Sequence, residues 1–429
     1  MTQNVVVIGA GHAGAHAAVS LRDLGFEGAI TLVSDEAQLP YQRPPLSKSY
    51  LLGKQDGDAL LLKSPEVYAE QRIKYLSGNR AVAIDRSGRV VVLADGQKLP
   101  YDKVILATGG RRAVLSAPGA ELDGVVGLRT FSDAADIKAR LGAVRNVVVI
   151  GGGFIGLEFA CVARSLDVNV CLVELAGRLL GRSVSEITAR HVEDVHRANG
   201  VSLCFGEKVV ALHGEGRLQS LELSSGKTLP AELALVGVGM TPNVDLAAAA
   251  GLDVLDGVLV DTFLRTSDPD VLAIGDCARF PANDAMMRVE SVQNATDQAR
   301  HAAHTITGHL APYSALPWFW SDQGGMKLQM AGLAQTADRF VVRGSPASGS
   351  FSVFCFCGDR LVAVESVNRG ADHVMGRRLI AANAALTEQQ ASDESFPLKN
   401  AISPNRGAPP GDGVTRTASN VRSLDERMK

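Results

Sequence analysis

The 429-residue sequence predicts an α/β fold in which two domains built on parallel sheets are accompanied by a smaller α+β domain. Two segments predict the parallel sheets, because "VVVIGAGHAGAHAAVSLRDLG" and "NVVVIGGGFIGLEFACVARSL" each place a buried strand, a glycine-rich turn and a helix in succession. From about residue 318, strand-like segments such as "FSVFCFCGDRLVAVESV" precede one helix and predict the α+β domain. The predicted fold class is therefore two Rossmann-like dinucleotide-binding domains plus a C-terminal α+β domain.

The composition excludes two classes of protein. A formal net charge of -3 leaves no basic excess for neutralising the phosphates of a nucleic acid. No segment contains the roughly 18 continuous apolar residues of a membrane span, and the N-terminus lacks the basic start of a signal peptide. The six scattered cysteines form no CxxC pair, which predicts neither a disulfide framework nor a metal site. We therefore expect a cytoplasmic protein that holds no metal.

The turn at residues 9–14, "GAGHAG", follows four aliphatic residues and opens a helix. Gly9 allows the tight turn, Gly11 lets the backbone approach a pyrophosphate, and Gly14 lets the helix pack on the strand. The N-terminus of the helix supplies partial positive charge to the same phosphates. Residues 151–156, "GGGFIG", repeat this arrangement. Two such turns in one chain predict two bound dinucleotides.

An acidic residue after the second strand of each unit is expected to bind a ribose. In the second unit, Glu174 stands eighteen residues beyond Gly156. A carboxylate there accepts hydrogen bonds from both ribose hydroxyls and repels a 2′-phosphate, which favours NADH over NADPH. In the first unit the strand ends in "TLVSDE", so that Asp35 and Glu36 are both candidates. The simplest pairing is a tightly bound FAD and a visiting NADH, which implies hydride transfer from nicotinamide to flavin.

Three further motifs accompany the two turns, namely "ATGG" at 107–110, "GD" at 275–276, and Arg129 in "LRTFSDA". Together they resemble the flavoproteins of the glutathione-reductase-like superfamily, which contain two dinucleotide-binding domains. Within that superfamily, "PPLSK", "GGGFIGLE", "IGDCARF", "ESVQNA" and "WFWSDQ" are similar, in order, to motifs of the ferredoxin reductases of bacterial oxygenase systems. The resemblance to this putidaredoxin reductase and biphenyl dioxygenase ferredoxin reductase family extends from about residue 4 to residue 400.

The resemblance implies that one dinucleotide-binding domain is inserted into the other. Residues 1–112 are then the first part of the FAD-binding domain, 113–244 the NADH-binding domain, and 245–318 the second part of the FAD-binding domain. Residues 319–400 form the C-terminal α+β domain, which covers the remaining side of the flavin in that family. Residues 401–429 are polar and rich in Pro, Gly and Ser, and we expect a flexible tail there.

The resemblance also implies the residues that bind each cofactor. The expected contacts of FAD are Gly9, Gly11, His12, Ala13, Gly14, Asp35, Arg43, Lys48, Val82, Ala107, Thr108, Gly109, Arg129, Gly275, Asp276, Val292 and Trp320. The expected contacts of NADH are Gly151, Gly153, Phe154, Ile155, Gly156, Glu158 and Glu174. In the family a lysine and the fingerprint glutamate pair beside the flavin, which implies Lys48 and Glu158 as the catalytic residues. An ammonium near the ring stabilises the reduced flavin, and Glu158 offsets its charge.

The stretch from 35 to 60 contains no cysteine, although the disulfide reductases of the superfamily keep a redox-active cysteine pair beside the flavin. A thiol relay is therefore excluded, and the electrons are expected to leave the flavin directly. An iron–sulfur protein suits such an outer-sphere transfer. The predicted function is an FAD-dependent NADH:ferredoxin oxidoreductase that passes single electrons to a [2Fe-2S] ferredoxin, which feeds a cytochrome P450 or a ring-hydroxylating dioxygenase.

Two alternatives stay open at this point. Rubredoxin reductase belongs to the same enzyme class, whereas an NADH-sensing binding protein like apoptosis-inducing factor would bind a partner without rapid turnover. For the reductase, an acidic ferredoxin should meet a basic surface over the flavin in a transient, electrostatically steered complex. The residues expected near that surface are Arg300, Lys327, Arg369, Arg377 and Arg378. We expect a monomer or a weak dimer.

Overall fold

Three five-stranded sheets, two of them parallel and one antiparallel, form the frame of the chain in the computed structural model, which describes residues 3–282 and 285–402. The tail predicted over residues 401–429 lies, from residue 403 onward, outside these described residues. None of the helices in the described ranges is long and apolar enough to cross a membrane.

The first region begins with the predicted strand, turn and helix. Val5, Val6, Val7 and Ile8 are all buried, as expected for a central strand that is covered on both faces. The elements are β1 (Asn4–Ile8), α1 (His12–Asp23), β2 (Ala29–Val33), α2 (Pro65–Glu70), β3 (Ile73–Leu76), β4 (Ala81–Asp85), β5 (Val90–Leu93), β6 (Lys98–Pro100), β7 (Lys103–Leu106) and β8 (Gly110–Arg112).

The second region repeats the same beginning, again with an aliphatic strand before a glycine turn. Its elements are β9 (Val125–Val126), α3 (Phe131–Leu141), β10 (Asn146–Ile150), α4 (Phe154–Ser165), β11 (Asn169–Glu174), α5 (Glu186–Ala198), β12 (Ser202–Phe205), β13 (Val209–His213), β14 (Ser220–Leu223), β15 (Thr228–Pro230), β16 (Leu233–Val236), β17 (Met240–Pro242) and α6 (Asp245–Ala249). The parallel sheet has the order β12-β11-β10-β16-β9. The antiparallel strands β13, β14 and β15 form a small separate sheet.

The last region contains the third large sheet. Its elements are β18 (Val258–Leu259), β19 (Val271–Ala273), β20 (Ala278–Ala282), β21 (Ala285–Met287), α7 (Val292–Ile306), β22 (Trp318–Gln323), β23 (Met326–Gly332), β24 (Arg339–Ser345), β25 (Ser350–Cys357), β26 (Arg360–Val367), α8 (Gly370–Ala381) and α9 (Glu388–Ser392). The antiparallel order β22-β23-β26-β25-β24 agrees with the predicted α+β character of this region.

Strand β19 returns to the first sheet, whose order is β19-β7-β1-β2-β3. Val271 of β19 pairs with Val104 of β7, and helices α1 and α7 pack together against the same core. Strands from before residue 112 and after residue 245 therefore share one sheet, which is the topology of an inserted second domain. The domain limits themselves stay a prediction.

Alternating residues of β25 separate two cores. Phe351 and Val353 pack with Leu157 of α4 and Val192 of α5, so that one face of the antiparallel sheet covers the second parallel domain. Phe354 on the other face packs with α8 and with the segment that follows it. Because side chains alternate along a strand, only one face of the third sheet packs against the second parallel domain.

Candidate functional site

A cavity of about 1050 Å³ opens at the carboxyl ends of β1 and β7, and the start of α4 and strand β22 complete its wall. Open α/β sheets bind ligands at this edge. The predicted site residues that line the cavity are Gly9, Gly11, His12, Ala13, Asp35, Arg43, Lys48, Ala107, Thr108, Gly109, Arg129, Gly153, Phe154, Ile155, Gly156, Glu158, Asp276, Val292 and Trp320. The chain therefore brings residues of both fingerprints and of the third sheet to one cavity.

Five predicted site residues do not line the cavity, namely Gly14, Val82, Gly151, Glu174 and Gly275. A Cβ atom on Gly14 would lie 1.8 Å from Gly9 O, so this glycine serves the packing of α1 on the turn. Gly151 has φ +105°, and a Cβ there would lie 2.4 Å from Gly237 O. Val82 is half-exposed on β4, which belongs to a separate three-stranded sheet.

The glycine turns fit two dinucleotides. A Cβ on Gly9 would lie 2.3 Å from Ala107 O, whereas a Cβ on Gly11 would meet only Arg43 Nε at 4.0 Å. The second turn shows the same contrast, because a Cβ on Gly153 would have nothing within 4 Å. Each turn thus has one glycine that closes the backbone and one beside open space at a helix N-terminus. This is the arrangement that a pyrophosphate requires.

Arg43 lies in a network of charges on the side of the cavity that is formed by the first glycine turn. Its Nη2 lies 2.5 Å from Glu36 Oε1, and its Nη1 donates to Arg129 O at 2.7 Å. Arg129 Nη2 in turn lies 3.0 Å from Asp276 Oδ2. Burial opposes the charge of Arg43, but Tyr41 and Glu36 nevertheless hold its pKa above the ordinary value.

The two acids that the sequence left as alternatives have different surroundings. Both line the cavity, but Asp35 is exposed while Glu36 is partly buried in the network with Arg43 and Tyr41. Tyr41 was missed by the sequence reasoning. Its hydroxyl donates to Glu36 and accepts from Phe131 N at 2.9 Å, which fixes the loop against the start of α3.

His12 lies on the first turn of α1 and is 9% exposed. Burial lowers the pKa of its imidazole to about 3, and the nearby His16, Arg43 and Arg129 act in the same direction. The side chain is therefore neutral at physiological pH in the structure as described.

Lys48 and Glu158 form an ion pair on the wall of the cavity, with Lys48 Nζ 2.8 Å from Glu158 Oε1. The Glu158 side chain is 5% exposed and that of Lys48 is 20% exposed. Ser47 Oγ donates to Glu158 Oε2 at 2.5 Å, and Ser321 Oγ donates to Oε1 at 2.6 Å. A buried carboxylate is thus surrounded by one cation and two hydroxyls from two elements, the Pro44–Ser47 turn with Lys48 at its end and strand β22.

Glu174 is the last residue of β11, and its carboxylate is held by backbone donors. Gly152 N donates to Oε2 at 2.6 Å, and Ala176 N donates to Oε1 at 2.7 Å. These bonds place the negative charge beside the second glycine turn. A 2′-phosphate next to it would meet electrostatic repulsion.

Aromatic residues of β22 form part of the cavity wall. Trp320 and its neighbours Trp318 and Phe319 all line the cavity. Phe319 packs on Phe154 of α4 with ring centroids 4.6 Å apart, and Arg377 lies 4.6 Å from the centroid of Trp318. Sequence reasoning named Trp320 alone, although the repeated aromatics of "WFW" were a signal for the other two.

None of the six cysteines, all within the described ranges, lines the cavity. Cys277 is adjacent to Asp276 in sequence, but its side chain is buried with its thiol toward backbone carbonyls of Leu106 and Ile274. The cavity therefore offers no thiol for disulfide chemistry.

The five basic residues predicted for a partner surface differ in their surroundings. Arg300 is 63% exposed, while Arg369 is 21% exposed and paired with Asp372 and Glu394. Arg377 covers Trp318 at one end of the β22–β23 pair, and the adjacent Arg378 is exposed. Lys327 lies opposite Asp322 near the other end of that pair.

Two family models together cover most of the chain. Residues 3–299 match the pyridine nucleotide-disulphide oxidoreductase model, and residues 318–402 match the reductase C-terminal model. Rhodocoxin reductase of Rhodococcus erythropolis is 45% identical over 402 residues, which are 93% of this chain and 94% of that protein.

Two solved structures agree with these matches. The ferredoxin reductase for the CYP199A2 system from Rhodopseudomonas palustris is 46% identical with a TM-score of 0.92, covering 94% of this chain and all of that one (100%). The reductase in the covalent putidaredoxin reductase–putidaredoxin complex is 41% identical with a TM-score of 0.90, covering 93% and 98% of the two chains.

These matches confirm the predicted fold class and the predicted resemblance, and the predicted cofactors FAD and NAD(H) are those of this family. The chain belongs to the pyridine nucleotide-disulphide oxidoreductase family and is an oxidoreductase of the ferredoxin reductase type.

Proposed function

We propose that this chain oxidises NADH at a bound FAD and passes the electrons singly to a [2Fe-2S] ferredoxin. One observation carries the proposal, namely that residues of both glycine turns line a single cavity that contains no cysteine. A dinucleotide on each turn brings the two cofactors to one space. The absence of a cysteine from the cavity wall leaves direct electron transfer to an external acceptor as the route.

The residues of the cavity divide between the two nucleotides. Gly9 and Gly11 would hold the FAD pyrophosphate, with the network of Arg43, Arg129 and Asp276 beside it. Bound FAD supplies the conversion between a two-electron donor and a one-electron acceptor. Gly153 and the start of α4 would hold NADH, whose ribose would bind to Glu174 beyond the cavity wall.

Lys48 and Glu158 are the residues that we assign to the reaction. The Lys48 ammonium faces the cavity and favours negative charge developing there. Glu158 keeps this ammonium in place through the 2.8 Å ion pair and reduces its net charge. No proton donor or acceptor of perturbed pKa is needed for this role, because it is electrostatic.

The acceptor class is supported by what the relatives act with. One similar structure is that of a ferredoxin reductase for the CYP199A2 system, and another contains putidaredoxin bound to its reductase. A ferredoxin that feeds a cytochrome P450 is therefore the acceptor that we propose. A ferredoxin of a ring-hydroxylating dioxygenase is the alternative, and a basic surface at Arg300 and Arg377 would dock either one.

The test is an anaerobic titration of the FAD-loaded chain with NADH and, separately, with NADPH. We expect NADH to bleach the flavin and NADPH to be much less effective, after which a [2Fe-2S] ferredoxin should restore the yellow colour rapidly. Rubredoxin and glutathione disulphide serve as the comparison acceptors. Faster reduction of rubredoxin would assign the chain to the rubredoxin reductases, and slow transfer to every protein acceptor would favour an NADH-sensing role.

A further inference from the structure

A chain of buried hydrogen bonds leads away from the Lys48–Glu158 pair, and neither fingerprint includes the residues that form it. Ser321 Oγ donates to Glu158 Oε1 at 2.6 Å, and Gln323 Nε2 donates to Ser321 Oγ at 3.2 Å. His196 Nε2 lies 3.0 Å from Gln323 Oε1. The side chains of Ser321, Gln323 and His196 are all fully buried.

The contact between α4 and β22 explains why these side chains meet. Successive odd-numbered residues of β22 point to one face, because side chains alternate along a strand. Phe319 packs on Phe154 at a centroid distance of 4.6 Å, and Ser321 meets Glu158 four residues along α4. Gln323 continues the same face toward α5. The side chains on one face of β22 therefore pack along one face of helix α4.

The chemistry of the groups fixes the direction of every hydrogen bond in the chain. The Glu158 carboxylate, paired with Lys48, only accepts, so the single hydroxyl hydrogen of Ser321 must be donated to it. The Ser321 oxygen is then free to accept from the Gln323 amide, which leaves Gln323 Oε1 as the acceptor on the other side. His196 must therefore carry its hydrogen on Nε2.

The surroundings of His196, at the end of the hydrogen-bond series away from Glu158, agree with a proton on Nε2. Burial lowers the pKa of His196, so that the ring is neutral and Nδ1 is an acceptor. Cys161 Sγ lies 3.9 Å from this Nδ1, and burial together with Glu158 raises the pKa of the Cys161 thiol to about 12. The thiol keeps its hydrogen and can donate it to the ring. Cys161 and Glu158 are both residues of α4, so this series of hydrogen bonds begins and ends on the same helix.

We propose that Ser321, Gln323 and His196 are positioning residues, which hold the Glu158 carboxylate on Lys48 and thereby set the charge that Lys48 presents to the cavity. The inference rests on the proposed function, in that Lys48 and Glu158 assist flavin reduction. Directed hydrogen bonds strengthen one another in a water-free interior, and an unpaired member costs more than an apolar substitute. Loss of one link should therefore allow the carboxylate to move away from Lys48.

The first arm of the test measures flavin reduction in the FAD-loaded protein by anaerobic rapid mixing with NADH. Ser321→Ala should slow the reduction about tenfold with little change in the NADH concentration at half-saturation. Ser321→Thr, which keeps a hydroxyl on a strand residue, should restore the rate to within about threefold of wild type. Gln323→Leu should slow the reduction similarly to Ser321→Ala, so that the test does not depend on one variant.

A double-mutant cycle distinguishes positioning from general structural damage. In a Glu158→Gln background, Ser321→Ala should have less than about a twofold further effect, because the residue that it positions has already been changed. Ser352→Ala is the matched control: Ser352 is also a buried serine of the third sheet and donates to the Asp372 carboxylate at 3.0 Å. It should lower the melting temperature but leave the reduction rate within about twofold of wild type.

The second arm does not use turnover. The Nε2 proton of His196 should give an exchange-protected imidazole resonance in the ¹⁵N-histidine-labelled protein, and Gln323→Leu should abolish that protection. The inference would be overturned if NADH reduced the flavin of Ser321→Ala at the wild-type rate. It would also be overturned if the effects of Ser321→Ala and Glu158→Gln on that rate simply multiplied in the double variant. An unchanged rate in Glu158→Gln would overturn it as well. Failure of the wild-type protein to reduce any ferredoxin would instead refute the proposed acceptor, since flavin reduction by NADH is measured without it.

Discussion

Lys48 Nζ lies 2.8 Å from Glu158 Oε1, although the two residues come from different parts of the fold. Lys48 follows the short turn Pro44–Ser47 in the first region, whereas Glu158 lies on α4 of the second. The pair therefore joins the loop that borders the first glycine turn to the helix that follows the second glycine turn. Its location at this junction is the reason for assigning it to the reaction between the two nucleotides.

Replacement of Lys48 by alanine should slow flavin reduction by NADH at least about tenfold while FAD stays bound, because the cation facing the cavity is lost. It should also destabilise the protein by about 3 kcal/mol, since Glu158 is left buried without its counter-ion. Rapid mixing and urea unfolding measure the two effects.

The double variant Lys48→Ala/Glu158→Gln separates these effects. It removes both charges and should recover most of the stability, but the slow reduction should persist. A wild-type reduction rate in Lys48→Ala would show that Lys48 is only a surface cation of the loop.

Substitution of Glu174 should relax the discrimination against NADPH. Glu174→Gln removes the negative charge that the backbone donors of Gly152 and Ala176 hold beside the glycine turn. We expect the ratio of kcat/KM for NADH to that for NADPH to fall about tenfold, because a 2′-phosphate no longer meets a carboxylate. The measurement is steady-state reduction of ferricyanide with each nucleotide.

Glu207→Gln is the control for this substitution. Glu207 N donates to Glu174 O at 3.3 Å, so the two residues are neighbours, but the Glu207 carboxylate binds Ser224 and Ser225 instead. The nucleotide ratio should stay unchanged in this variant. An equal change in both variants would mean that the general negative charge of this edge, rather than Glu174, decides the preference.

Neutralising the basic residues near β22 should weaken the reduction of an acidic ferredoxin. Arg300→Gln and Arg377→Gln should each raise the KM for ferredoxin about three- to tenfold at low salt, through loss of electrostatic steering. Reduction of ferricyanide should be nearly unaffected by the substitutions and by added salt. Arg190→Gln removes an exposed arginine of α5 and is the control. Identical salt responses for ferredoxin and ferricyanide would argue against a basic docking surface.

The glycine turns could be predicted from the sequence because their geometry is local. Gly9 has to accommodate φ +101° and a close approach to Ala107 O, and both requirements depend on a few neighbouring residues. Glu174 is predictable for the same reason, since its distance along the chain from the turn is fixed by one helix and one strand. The family resemblance was needed to pair Lys48 with Glu158.

The hydrogen bonds that link Ser321 to His196 could not be predicted, because they depend on how the third sheet packs on α4 and α5. Nothing local distinguishes Ser321 and Gln323 from polar residues of an exposed strand face. The different surroundings of Asp35 and Glu36 likewise depend on Arg43 and Tyr41, which approach from the loop after β2. Tertiary contacts between distant polar residues have no periodic signal in the sequence.

Glu365 on β26 connects the third sheet to the nucleotide-binding region and makes the stability of that contact pH-dependent. It is 1% exposed and accepts from Ser185 N at 2.7 Å and Ser185 Oγ at 2.6 Å, at the start of α5. No lysine, arginine or histidine pairs with it among the residues that the structure describes. Burial raises the pKa of Glu365 despite the hydrogen bonds from Ser185. The neighbouring Cys355 thiol stays protonated, because burial raises its pKa as well.

The sign of the effect follows from the raised pKa. Between the unfolded pKa of about 4.3 and the higher folded pKa, the folded protein binds more protons than the unfolded chain, so stability falls as the pH rises through this window. Glu365→Gln cannot ionise and should escape this loss. Its free energy of unfolding relative to wild type should therefore increase as the pH rises from 4 to 8, because only the wild-type side chain loses its proton in the folded state. Urea unfolding across this range measures it, with Glu186→Gln on the exposed face of α5 as the control that should show no such trend. A constant difference between Glu365→Gln and wild type would mean that Glu365 has the same pKa in the folded and unfolded states.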